Sequence, residues 1–278
     1  MCRWMAYSGA PVPLDDLLFK PRNSIVMQSK HSQMGATEVN GDGFGVGWYP
    51  EGRTRPGVYR STEPAWNDIN LRELAAVARP ARVFTHVRAT TGSAVQQTNC
   101  HPFRHDNWLW MHNGEIMEFA TLKRDLVLAV APELFPQIEG STDSELLFHL
   151  ALTFGLRDDP PAAVARAVGL VEETARQRGV ADPVQMTVAT TDGETTWAFR
   201  YSSARQSRTL FHSNDVDTLR RQYPENTLLH DLAESAQLVV SEPLSDLQGA
   251  WTEVPESSCV TVRDGREDRT EFVPVQPS

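Results

Sequence analysis

Cysteine is scarce in this sequence, and the little there is forms no framework. The three cysteines, Cys2, Cys100 and Cys259, are odd in number, far apart and without a C-x-x-C pair. That pattern excludes a disulfide scaffold and a zinc ribbon, and it fits a reducing cytosol. Basic charge is also short. Lys and Arg number 26 against 36 Asp and Glu, a net charge of −10, which argues against nucleic acid or an anionic membrane surface as partner. No apolar run is long enough to span a bilayer, and the first residues lack the charged start and apolar middle of a signal peptide. Internal repeats, low-complexity runs and domain-sized linkers are missing too. The expectation is a soluble cytoplasmic protein with a single domain over residues 2–278, its core over about 2–262 and the charged tail after Gly265 loose.

What is present starts at the N-terminus. Residues 2–7 read as a short strand headed by Cys2. Its side chain is small, so removal of Met1 is expected, and the thiol would then share a residue with a free α-amine. With an unperturbed pKa of about 7.7–8.0, that amine can act as general base for the thiol nucleophile. Taken alone, an early cysteine is more often a small buried hydrophobe. Further motifs decide the matter.

In Asn40-Gly41-Asp42-Gly43-Phe44-Gly45-Val46-Gly47-Trp48-Tyr49 the apolar residues alternate with glycines. A phosphate-cradling loop would run into a helix. This pattern is instead a strand, whose glycines mark close approach of another segment. Residues 81–88 form a second alternating strand, with Arg88 at its end before Thr-Thr-Gly-Ser. An arginine there can fork two donors onto a carboxylate, or simply cap a sheet edge. A third strand, residues 108–111, leads into His112-Asn113-Gly114-Glu115. Asn-Gly is a common turn, but an Asn amide beside an unobstructed Gly N–H can also form an oxyanion hole. Cys100, His101, His105 and His112 fit the spacing of no zinc module, so no metal is assigned. Amphipathic helices are expected over 118–130, 143–154 and 162–178, the second opened by a Thr142-x-x-Glu145 capping box. Asp143 in its first turn is ordinarily explained by the helix dipole. Strands are expected over 184–189, 195–201, 209–212, 237–241 and 259–263, which indicates a layered α+β fold.

Cys2, the Asp42–Gly47 strand, His86-Val87-Arg88-x-x-Thr91, Asn99-Cys100-His101-Pro102, His112-Asn113-Gly114-Glu115 and Ser141-Thr142-Asp143-Ser144-Glu145 follow one another in a single order. The ordered set resembles the class II glutamine amidotransferases, which are N-terminal nucleophile hydrolases, over nearly the whole chain. The resemblance implies a four-layer αββα sandwich. It implies Cys2 as nucleophile and, through its α-amine, base, with Asn113 and the Gly114 N–H as oxyanion hole. Arg88 would hold the substrate α-carboxylate, Asp143 its α-ammonium, and Thr91 the supporting position. A zwitterionic γ-glutamyl head needs such a cation and anion. His86, His101 and His112 are assigned to packing and hydrogen bonding, and no cofactor is implied. Gly92 stands where biosynthetic amidotransferases often carry a histidine, and no synthase domain follows in the sequence. The Met1-Cys2-Arg3 start, Ser241-Glu242-Pro243-Leu244 and Trp251 look most like the stand-alone branch, which includes the γ-glutamyl hydrolase of ergothioneine biosynthesis. The implied activity is hydrolysis of a γ-glutamyl amide through a thioester on Cys2, releasing ammonia or an amine. Glutamine would call for a separate ammonia-accepting synthase subunit as partner. The alternatives are a larger γ-glutamyl conjugate, a hydrolase of an unrelated amide, and a non-catalytic regulatory subunit.

Overall fold

Strand β1 (Arg3–Ser8) is buried along its whole length, and its alternation sets the layers. The computed structural model describes residues 2–34, 38–90 and 92–277. After β1 come α1 (Leu14–Leu18), α2 (Ile25–Lys30), β2 (Phe44–Trp48), β3 (Gly57–Ser61), α3 (Ile69–Val77), β4 (Arg82–Val87), β5 (Phe103–His105) and β6 (Trp108–Ile116). Helices α4 (Phe119–Leu128), α5 (Asp143–Thr153) and α6 (Pro160–Arg178) follow, then β7 (Val184–Thr191), β8 (Thr195–Ser202) and β9 (Phe211–Ser213). The chain finishes with α7 (Val216–Gln222), α8 (Thr227–Asp231), β10 (Gln237–Val240), β11 (Trp251–Glu253), β12 (Ser258–Arg263) and β13 (Arg266–Glu271).

Among the described residues the strands form two antiparallel sheets, ordered β11-β9-β10-β1-β4-β2-β3 and β13-β12-β8-β7-β6-β5. Successive side chains of a strand point to opposite faces. From β1, Met5 and Tyr7 join Leu14, Leu17, Leu18 and Ile25 of the first helical layer. Trp4 and Ala6 face the other way and meet Leu109, Met111, Ala189 and Ala198 of the second sheet. The far face of that sheet packs Trp110, Val188 and Phe199 on Leu122, Leu147 and Val168 of α4–α6. The result is an αββα sandwich, as the resemblance implied. At roughly 1.5–3 kcal/mol for each buried Val, Leu or Phe, these layers outweigh exposed ion pairs such as Arg22–Asp246 at 2.7 Å, which contribute about 0–1 kcal/mol.

Helix ends follow their sequence signals. Asp159 caps α6 by accepting from Ala162 N at 3.1 Å, prolines occupy its first turn, and Gly179 ends it in the left-handed conformation. The Thr142 cap of α5 accepts from Glu145 N at 3.2 Å. Glu145 does not return the bond, because its carboxylate instead receives Glu139 N and Gly140 N at 2.8 and 2.7 Å. The expected capping box is therefore only half present.

The glycines of β2 do mark a close approach. A Cβ at Gly45 would lie 2.1 Å from the His101 carbonyl oxygen, and one at Gly47 would lie 2.8 Å from Pro102 and Leu109.

Several expectations need correction. Asn113-Gly114 is not a turn, because β6 continues through it to Ile116, paired with β7. The helix over residues 25–30 and the short strands β3, β5 and β11 carried too little periodic signal to stand out. The charged tail, expected to be loose, pairs as β13 with β12. Beyond it Phe272 is buried, and Val275 N donates to Ala165 O at 3.0 Å.

Candidate active site

Cys2 lies just ahead of β1, whose pairing with β4 begins at Arg3↔Val87. One step back along the alternation puts its side chain on the inter-sheet side, with Trp4 and Ala6. The residue is half-buried, and its Sγ donates to the Ala89 carbonyl at 3.5 Å. Burial pushes the thiol's pKa up, only partly countered by the hydrogen bond to Ala89 and the charges of Arg88 and Arg3. Such a thiol stays protonated at neutral pH, so nucleophilic attack requires a base close at hand.

Asn113 is brought to the same region by β6. It pairs with Thr187, whose Oγ1 accepts from Trp4 Nε1 at 3.2 Å. The Asn113 side chain is buried, and among the described residues its Nδ2 has no hydrogen-bond partner. Gly114 has φ +154°, and a Cβ there would fall 1.9 Å from the Gln185 carbonyl oxygen. Only glycine fits that position.

Arg88, just beyond β4, is 3% exposed. Its guanidinium donates to the Asp42 carbonyl at 3.3 Å, Ser93 Oγ at 2.7 Å and the Ala94 carbonyl at 3.2 Å. All three acceptors are neutral, and among the described residues Arg88 makes no ion pair. The two histidines nearby add no charge. His86 and His101 stack with ring centroids 4.2 Å apart, and burial holds His86 down to about 3 and His101 well below its usual value. The backbone is strapped in place: Asp42 N donates to Arg88 O and Arg88 N to Gly43 O, at 2.9 and 2.8 Å. A buried cation facing only neutral acceptors is a ready anion site.

Asp143 opens α5. Its Oδ2 accepts from Ile116 N at 2.8 Å and its Oδ1 from Ser144 N at 2.7 Å. Ser144 Oγ also bonds Asp143 and contacts His112 Nδ1 at 2.8 Å. Asp143 pairs with no cation among the described residues. It lines a cleft of about 370 Å³ with Gly92, Ser93, Ala94, Glu115 and Phe119. Ser93 and Ala94, which hold Arg88, thus face Asp143 across one opening. Asn99 fixes the two sides together. Its Nδ2 donates to the Ala94 carbonyl at 2.9 Å, and its Oδ1 accepts from Ser141 N at 2.9 Å.

The structure thus brings Asp143 to one cleft with Ser93 and Ala94, two of the acceptors of the Arg88 guanidinium, while Cys2 lies just ahead of β1 and Asn113 on β6. Thr91 lies outside the described residues. Gly92 has φ +132°, so a histidine there would be strained and the loop differs from one that carries it. Sequence reasoning gave no role to Ser93 and Glu115, though both lie in the motifs named above, and missed Ala94 and Phe119, which lie in none. It also missed Asp42, whose Oδ2 accepts from Thr90 N at 2.8 Å; its Gly-Asp-Gly setting was a usable turn signal.

The chain was compared with known proteins. The sequence model of the glutamine amidotransferases class-II matches residues 19–277, leaving the Cys2 stretch outside the match. The probable glutamine amidotransferase DUG3 of Saccharomyces cerevisiae is 33% identical, over 95% of this chain and 82% of its own. The gamma-glutamyl-hercynylcysteine sulfoxide hydrolase of Mycolicibacterium smegmatis is 29% identical, over 95% and 96%. A solved class-II domain protein of Silicibacter pomeroyi superposes with a TM-score of 0.75 at 31% identity, covering 99% of this chain and 100% of that one. The glutamine phosphoribosylpyrophosphate amidotransferase of B. subtilis shares the fold alone: TM-score 0.64, 15% identity, 99% of this chain and 50% of that one. On its family match and its relatives, this chain belongs to the class II glutamine amidotransferases.

Proposed function

We propose that the chain is a single amidotransferase-type domain that hydrolyses a γ-glutamyl amide through a thioester on Cys2. The observation that carries this reading is the buried Arg88 guanidinium, without an ion pair among the described residues and held by Ser93 and Ala94, which line one cleft with Asp143. A γ-glutamyl head group offers a carboxylate and an ammonium, one for each. The leaving amine is ammonia for glutamine, which a separate synthase subunit would then accept. It is a larger amine for a conjugate of the kind named for the Mycolicibacterium relative.

In the reaction, Met1 is absent and the Cys2 α-amine takes the thiol proton as sulfur attacks the amide carbon. Asn113 Nδ2 and the Gly114 N–H receive the charge that develops on the amide oxygen. The carbon–nitrogen bond then breaks, the proton passes from the α-amine to the departing amine, and a thioester remains. Water attacks the thioester, the sulfur leaves and regains its proton, and free glutamate is released. The raised thiol pKa supports a base on the same residue, and the unpartnered Asn113 amide supports an oxyanion role.

The test compares wild type with Arg88→Lys, each on a γ-glutamyl substrate and on its analogue lacking the α-carboxylate. Lysine keeps the charge but loses the fork. The expected loss is about tenfold or more in kcat/KM on the full substrate, in line with one charge-assisted bond, and much less on the analogue. Equal losses on both would make Arg88 structural and remove the assignment.

A further inference from the structure

Cys2 stands outside the β1–β4 ladder, so something other than sheet pairing must place it. Its carbonyl accepts from Arg3 Nη1 at 2.9 Å. The Arg3 side chain lies on the opposite face of the strand from Trp4, where Nε donates to Glu242 Oε2 at 2.8 Å. The third nitrogen, Nη2, has no hydrogen-bond partner among the described residues. The guanidinium is therefore held between two points, Glu242 and the carbonyl of Cys2.

Glu242 is a hub. Its Oε2 also accepts from Ser32 Oγ at 2.9 Å and Met34 N at 3.0 Å. Oε1 accepts from Asn23 Nδ2 and Gln33 N, both at 3.0 Å. Arg3 is 2% exposed and Glu242 1%. Burial alone would raise the pKa of this carboxyl, but its donors, Asn23, Gln33, Arg3 and Met34, outweigh burial and hold it low. Ser241, one residue earlier, is fixed to β1 from both sides: its N donates to Trp4 O at 3.0 Å, and its Oγ accepts from Trp4 N at 2.9 Å. The carboxylate is thus rigidly placed before it meets Arg3.

We propose that Arg3 and Glu242 are positioning residues for the nucleophile, Glu242 anchoring one arm of the guanidinium so that the other fixes the Cys2 carbonyl. This rests on the reading of Cys2 as nucleophile. A residue ahead of its strand frays unless tied down, whereas a reacting atom must be held to within about 0.5 Å. Arginine suits the task because a planar fork can span two acceptors in fixed directions, which one ammonium cannot.

Two variants test it, with Glu242→Gln alone as the reference for stability. Arg3→Lys keeps the charge opposite Glu242, so the pair and the fold survive, but the second arm is lost. Arg3→Met with Glu242→Gln removes both charges together and avoids the stranded charge that Glu242→Gln alone would leave. Turnover of a γ-glutamyl amide, melting temperature, and iodoacetamide alkylation of Cys2 located by peptide mass are measured for each. For Arg3→Lys the expected result is a near wild-type melting temperature, KM within about threefold and kcat down about 10- to 100-fold, the scale of a 1 Å misplacement. Alkylation of the loosened Cys2 should rise about threefold or more, on the same loss of restraint. In the double variant the melting temperature should exceed that of Glu242→Gln while kcat stays low. Unchanged kcat in Arg3→Lys, or kcat recovering with melting temperature in the double variant, would overturn the proposal. A wild-type chain that turns over no γ-glutamyl amide refutes the functional reading instead. The alkylation arm still decides the positioning role in that case, since an unchanged rate in Arg3→Lys sinks it.

Discussion

Asn113→Leu should lower activity without lowering stability, a combination that few substitutions in a buried strand produce. Leucine has the same number and branching of side-chain heavy atoms, so the strand keeps its filling. In the resting protein the Asn113 amide is buried with Nδ2 unpartnered, which costs about 1–3 kcal/mol. Leucine removes that cost and adds apolar contact, against roughly 1–3 kcal/mol of strain if the site is too tight. The two terms nearly cancel, so the melting temperature should hold or rise slightly.

The transition state reverses the account. If Nδ2 meets the developing oxyanion, its loss should lower kcat by about 10²–10³, equivalent to about 2.7–4 kcal/mol. KM should be nearly unchanged, because the ground-state carbonyl gains little from that donor. Steady-state release of glutamate, single-turnover formation of the thioester and a thermal melt on the same preparation supply the three readouts. A variant with normal kcat would show that the unpartnered amide is not aimed at the reaction. A melting temperature that falls in step with activity would make Asn113 an ordinary structural residue.

Intact mass of the active protein should lack Met1, because an α-amine locked in a peptide bond cannot accept the Cys2 proton; full activity in a species that retains Met1 would sink the mechanism. Stability should fall on acidification. Burial lowers the pKa of His86 to about 3 and places those of His101 and His112 below the ordinary 6.5, so below that pH the unfolded chain binds protons that the folded one refuses. The contribution is fully present above about pH 6.5 and is lost as pH falls, at up to about 1.4 kcal/mol per pH unit for each ring. Glu145, raised by burial, opposes this between its unfolded and its raised folded value. Urea unfolding at pH 7 and pH 5 checks the sum, and equal stabilities would overturn neutral burial of the three rings.

What the sequence made legible was whatever repeats a local rule. The alternation of Val83, Thr85 and Val87 and the spacing of the α5 and α6 faces are short-range facts, and the elements stand where those facts put them, save that α6 opens at Pro160, ahead of the expected Ala162. Asn113-Gly114 failed because its local signal is real but overruled. Asn-Gly favours a turn in isolation, yet eight consecutive pairings with β7 carry β6 straight through it. The glycine is there for the Gln185 carbonyl, a neighbour 71 residues away that no window of sequence contains. The same holds for the site. Arg88 and Asp143 could be named from ordered motifs, but their isolation from counter-charges is a property of the packed layers. So is the role of Asn99, which bonds Ala94 on one side and Ser141 on the other. Its motif pointed to chemistry, and its geometry shows a brace between the two walls that would grip the head group. The proposed head-group site therefore rests on one cation and one anion, Arg88 and Asp143, neither of which makes an ion pair among the described residues. A zwitterion of matching length completes both at once, which is why the head group, and not the leaving amine, is the part of the substrate this architecture defines.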